Sequence, residues 1–120
     1  MAKILVHITH GPENPTRAAL GFHVAKAAID EGHTVTLFLA GDGVQLKRDG
    51  VIESLSGLGT GNLASLYEAI AAAGTTIYLS GMSSKARGLT DDELAGKNYR
   101  FGAPADLVRL TVEHDRLFTY

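Results

Sequence analysis

The sequence predicts a three-layer α/β domain built on a doubly wound, mainly parallel sheet. Three observations carry this. Apolar, β-rich runs at Lys3 to Thr9 (KILVHIT), Thr34 to Ala40 (TVTLFLA) and Thr75 to Leu79 (TTIYL) alternate with helical segments. These runs are apolar at successive positions, the mark of strands buried on both faces. The helical segments between them are bounded by capping residues and terminal glycines.

Taken in order, the first strand ends at His10-Gly11-Pro12, and Asn14-Pro15 then supplies a cap and a helix-starting proline. The helical pattern runs through Glu31 and stops at Gly32. The second strand ends at Gly41-Asp42-Gly43. Residues 41–61 read as an ordered functional loop with one helical turn around Val44 to Arg48, longer than the usual connection. Asn62 caps a helix from Leu63 to Ala73 that Gly74 closes. After the third strand, Ser80 opens a loop of glycine, hydroxyls and cations, SGMSSKARG. A short helix near Asp91 to Ala95, a brief extended piece at Asn98 to Phe101, a helix from Pro104 or Ala105 to about His114 and a closing stretch at Leu117 to Tyr120 complete the chain. Right-handed crossovers make this a single flavodoxin-like domain over residues 1–120.

A length of 120 residues with 45% hydrophobic content suits one core. The formal net charge of -2 leaves no broad basic surface, so no nucleic-acid partner is expected. There is no cysteine, which removes disulfides, thiolate nucleophiles and persulfide carriers and leaves any metal to histidine and carboxylate ligands. The apolar stretch in MAKILVHITHGPENP is too short for a secretory signal, and no run reaches the roughly 18 apolar residues of a membrane span. The expectation is a soluble cytoplasmic protein without a membrane partner.

With residues placed 100° apart, Ala18, Leu20, Phe22, Val24, Ala25, Ala27, Ala28 and Ile29 cover an arc of roughly 220° on the first helix. Only His23, Lys26 and Asp30 form a polar strip. Either alanine is tolerated there in water, or the helix carries a subunit interface.

In an open parallel sheet, ligands bind beyond the carboxyl ends of the strands, where the loops converge. That places His10 and Gly11, then Gly41, Asp42 and Gly43, then Ser80, Gly81, Met82, Ser83 and Ser84 around one cleft. The glycines would let backbone N–H groups approach a ligand, and Lys85 and Arg87 would add positive charge, so a small anionic ligand is expected. The segment GLGTGN at Gly57 to Asn62 matches neither GxGxxG nor GxxxxGK[ST] and is read as a flexible turn with an Asn cap. His7 and His10 point to opposite faces of a strand, and His23, His33 and His114 sit on other elements, so neither metal nor cofactor is expected. Ser80 lacks the GxSxG of a nucleophile elbow. It is a catalytic candidate only if His10 or Asp42 stands beside it as a base, in a hydrolase or group-transfer enzyme; otherwise it bonds loop backbone or an anion.

The segments KILVHITHGPENPTRAALGFHVAKAA, TVTLFLAGDGV, GTGNLASLYEAIAAAGTTIYLSGMSSKARGL and EHDRLFTY together resemble the DsrE/DsrF-like family of small α/β proteins. The resemblance implies a flavodoxin-like fold that assembles as a trimer or hexamer, with possible partner proteins, and a relation to sulfur-relay subunits. Such subunits carry a persulfide on a cysteine just after the third strand, where this chain has Ser80. A hydroxyl has no persulfide state, so the relay chemistry does not transfer. What remains is a DsrE-like binding or assembly domain, with a serine enzyme or a structural subunit of a hetero-oligomer as alternatives.

Overall fold

The computed structural model describes residues 1–120. Strand β1 spans Lys3–Ile8, helix α1 Pro15–Asp30 and strand β2 Thr34–Leu39. A 3-10 helix at Gly41–Lys47 and a short helix α2 at Asp49–Ser54 lead to a two-stranded antiparallel hairpin, β3 at Ser56–Gly57 and β4 at Gly61–Asn62. Helix α3 spans Leu63–Ala72, strand β5 Thr76–Ser80, helix α4 Gly81–Ala86 and helix α5 Asp91–Leu94. Strand β6 at Arg100–Gly102, helix α6 at Pro104–Glu113 and strand β7 at Arg116–Thr119 follow.

The caps read from the sequence form. The Asn14 carboxamide accepts the Arg17 N–H at 3.3 Å, and Pro15 takes the first turn of α1, where its missing N–H has no partner to lose. Asn62 accepts the Ala64 N–H at 2.7 Å at the start of α3. Gly32 and Gly74 end α1 and α3 at φ of 89° and 75°, the left-handed turn that a side chain resists.

The main sheet has five strands in the order β6-β5-β2-β1-β7, all parallel. From β1 the chain steps through β2 and β5 to β6 in one direction, so right-handed crossovers put α1 and α3 on one face. It then crosses back to β7, and α6 covers the other face. This is the three-layer α/β fold that the sequence predicts.

Strand alternation divides the core. Ile4, Val6, Ile8, Leu37, Leu39, Ile77 and Leu79 pack with Phe22, Ala25, Leu63 and Ile70 beneath α1 and α3. Burying a side chain such as Phe22 or Leu37 there stabilises the fold by roughly 1.5–3 kcal/mol. Leu5, Phe38 and Leu110 form the much smaller core under α6.

Two stretches read as loops are ordered elements. Residues 41–61 hold the 3-10 helix, α2 and the hairpin, with Ile52 and Leu55 buried in the core side of that segment. The loop expected after Ser80 is helix α4, because Ser80 itself caps it: Oγ accepts the Ser83 N–H at 3.1 Å. The wide apolar arc of α1 is half filled within the protomer, while Leu20 and Ala27 stay exposed and Val24 and Ile29 are half-buried. Ala18, Ala19, Phe22, Ala25 and Ala28 are buried, and α1 packs against α3 and β3 as well as the sheet. Further exposed apolar side chains lie on α6 at Val108 and Val112, on β6 at Phe101 and on β7.

Candidate functional site

The ends of β1, β2 and β5 do deliver their loops to one edge, and the contacts among them are direct. The Gly41 N–H donates to Ser83 Oγ at 2.9 Å, and Arg87 Nε donates to Asp42 Oδ1 at 2.8 Å. A methyl group on Gly11 would collide with the Asp42 carbonyl, and one on Gly43 with the Ile8 carbonyl. These glycines therefore let protein backbone approach protein backbone. Gly81 differs: added atoms there meet only the edge of Phe101 at 4.0 Å.

The charges divide in the same way. His10 Nδ1 pairs with Glu13 Oε2 at 2.7 Å. The Arg87 guanidinium, through its hydrogen bond first and its charge second, holds the Asp42 carboxyl below the usual carboxylate range. Lys85 is exposed, has no ion pair, and lies one helical turn beyond Gly81 on the same face of α4.

Ser80 is 7% exposed, and the one hydrogen bond of its hydroxyl is the cap to Ser83. His10 and Asp42 are both engaged with other partners, and neither bonds Ser80. The serine–base contact on which a hydrolase would depend is not formed in this structure. Ser84 Oγ is buried beside it without a partner.

A cavity of about 480 Å³ opens next to this serine, at the carboxyl ends of β5 and β6. Gly81 and Met82 line one side, and Phe101, Gly102, Ala103 and Pro104 line the other. Asp106 also faces it, but one carboxylate oxygen accepts the Ala103 N–H at 2.7 Å and the other an Arg109 Nη2–H at 3.2 Å. The Ala103 N–H is the larger reason that the Asp106 carboxyl sits below its ordinary range. Sequence reasoning named Gly81 and Met82 but not the β6 wall. The signal was available, because a parallel strand beside β5 must send its following loop to the same edge.

Behind these loops Arg48 joins three segments. It donates to Glu93 Oε2 of α5 at 2.8 Å, Gln45 Oε1 at 2.9 Å and the Arg87 carbonyl at 2.7 Å. Next to it Lys47 is fully buried, with Nζ donating to the Tyr67 hydroxyl at 2.8 Å and the Asn98 carbonyl at 2.9 Å. Burial, aided by the charge of Lys97, pushes the Lys47 amine down to about 8.

The histidines stay apart. His7 sets its ring edge-on to Phe38, with Nε2 buried and unpartnered, and burial pushes its pKa down. His23 donates to Thr60 O, His33 accepts the Ala2 N–H, and His114 bridges Leu110 O and Thr36. No three His, Cys, Asp or Glu side chains gather closely enough to hold a metal ion. No helix is long and apolar enough to cross a membrane.

The DsrE/DsrF-like family model matches residues 2–120. The chain belongs to the DsrE/DsrF-like family. Among solved structures, the ychN protein from E. coli is similar, with a TM-score of 0.81 and 21% identity over 100% of both chains. So is MTH1491 from Methanobacterium thermoautotrophicum, a protein of unknown function, with a TM-score of 0.75 and 14% identity over 100% of both chains. At such identities these two share the fold of this DsrE-like chain. No curated protein matches it.

Proposed function

We propose that this DsrE-like chain is a cytoplasmic ligand-binding and assembly domain, not a persulfide carrier, that takes a small anionic molecule beyond the ends of β5 and β6. The observation that carries the reading is the cavity of about 480 Å³ walled by Met82, Phe101 and Pro104, with the unpaired Lys85 one turn from Gly81. The apolar wall accepts the body of the ligand, and the ammonium of Lys85 attracts its charge. Asp106 is already held by Ala103 and Arg109, which limits its repulsion of an anion. With no cysteine in the chain, no side chain can hold sulfur as a persulfide. The exposed Val108, Val112 and Phe101 support assembly with other chains, in a homo-trimer or homo-hexamer or with a partner protein.

A thermal-shift panel of small carboxylates, phosphates, sulfur oxyanions and nucleotides tests the binding claim. At least one class stabilises the protein by mass action, and Lys85→Ala reduces that shift. A panel without any stabiliser contradicts the reading.

A further inference from the structure

β7 lies at one edge of the sheet and pairs only with β1. All four of its residues are exposed, and Leu117 and Phe118, one on each face, remain 44% and 43% exposed. The backbone direction is readable from neighbouring bonds. The Tyr120 N–H donates to His7 O at 2.8 Å, and Tyr120 O accepts the Thr9 N–H at 2.7 Å. By strand alternation Phe118 and Arg116 face β1 in the same way, whereas Leu117 and Thr119 turn their N–H and C=O groups outward. The run RLFT contains neither proline nor glycine, the residues that often blunt an open edge. At the other edge β6 offers three residues, with Pro104 two positions later.

A groove of about 240 Å³ adjoins this edge on the α1 face, lined by Ile4, Val24, Ala27 and Phe118 with Glu31 and His33 at its polar side. Arg116 pairs in register with Ile4, as Phe118 does with Val6, so Arg116 and Phe118 share that face. The Arg116 guanidinium bonds only the Asp115 carbonyl, and Glu31 has no cationic partner within the protomer.

We infer that two copies of this chain join antiparallel through β7, about a two-fold axis at Leu117, with Arg116 of each copy reaching Glu31 of the other across the groove. Centring on Leu117 follows from its outward N–H and C=O, which exchange both hydrogen bonds with the same residue of the second copy. In that register Arg116 of one copy stands opposite Phe118 of the other, at the mouth of the groove that holds Glu31. The unpaired charges are then complementary, and ten strands form one sheet. This deepens the assembly part of the proposed function and is independent of the ligand.

Sedimentation equilibrium of the full chain tests it. Leu117→Pro removes an outward donor and leaves the bonds to β1 intact, so the folded variant has half the wild-type mass, dimer to monomer or hexamer to trimer. Arg116→Glu, an exposed change, also halves the mass, and adding Glu31→Arg restores it. If Leu117→Pro loses its circular dichroism signal, the Arg116 pair of variants decides alone. A wild type that stays monomeric overturns both assembly and pairing. An assembled wild type whose mass ignores Leu117→Pro and Arg116→Glu overturns the pairing and leaves assembly standing. A charge swap that fails to restore the mass overturns the Arg116–Glu31 contact.

Discussion

Arg87 reaches from the end of α4 to the loop after β2, where its Nε donates to Asp42 Oδ1 at 2.8 Å. The same guanidinium donates to Ser83 O at 3.3 Å, so one side chain ties together two of the three loops at the sheet edge. It acts as a structural tie, and Lys85 is left as the free cation.

Replacing Arg87 by Gln removes the main cause of the low Asp42 pKa, and the carboxyl returns toward its ordinary value. NMR titration of the Asp42 side chain reads this directly. A depressed carboxylate stabilises the fold above its unfolded pKa and loses that contribution as pH falls through the folded value, so Arg87→Gln flattens the acid limb of the stability curve. Ligand-induced shifts change less in Arg87→Gln than in Lys85→Ala; the opposite ranking would assign the anion contact to Arg87.

Lys47 gives the opposite pH dependence. Its folded pKa is lowered to about 8, while the unfolded amine holds its proton to about 10.5, so the unfolded chain binds more protons between these values and stability rises with pH there. Relative to Lys47→Met, the wild type gains on the order of 1–3 kcal/mol between pH 7.5 and 10. Urea melts of both proteins across that range show it. Parallel curves would mean that the buried amine is not desolvated in the folded state.

Gly43→Ala forces a methyl group against the Ile8 carbonyl and destabilises by roughly 2–4 kcal/mol. Gly50→Ala, in α2 with nothing near the added atom, is neutral or stabilising by up to about 1 kcal/mol. Denaturant midpoints with unchanged m-values separate the two. Equal effects would show that the loops after β1 and β2 do not pack as described.

Ser80→Ala deletes the cap on the Ser83 N–H and costs about 1 kcal/mol. The loss appears in a urea melt, while the sedimentation mass is unchanged. No loss would mean that α4 is held by its packing on β5 and the 3-10 helix alone.

Elements with strong punctuation were legible in the sequence. Asn14-Pro15, Asn62-Leu63 and Pro104 mark the starts of α1, α3 and α6, and the short, β-branched apolar run at Thr34 to Leu39 reads as a buried strand. α4 was not legible, because GMSSKA has low helix propensity and too few residues for a 3.6-residue period. It forms through a tertiary setting, the Ser80 cap and the ties from Ser83 and Arg87 to the loop after β2. The hairpin at Ser56 to Asn62 likewise depends on α1, which its Gly57 approaches at Thr16. At the site, parallel topology located the edge, yet that Arg87 is paired and Lys85 free needed coordinates. So did the β6 wall, since Arg100 to Gly102 is too short to announce itself.

The central claim is that the cavity beyond β5 and β6 takes a small anion through Lys85. Backbone amide shift mapping during titration with the best-stabilising oxyanion tests it most directly. The account predicts saturable shifts clustered at Gly81, Met82, Lys85, Phe101 and Gly102, and their loss in Lys85→Ala. Shifts that are absent, or that gather instead at Glu31, His33 and Phe118 at the far end of the sheet, would contradict it.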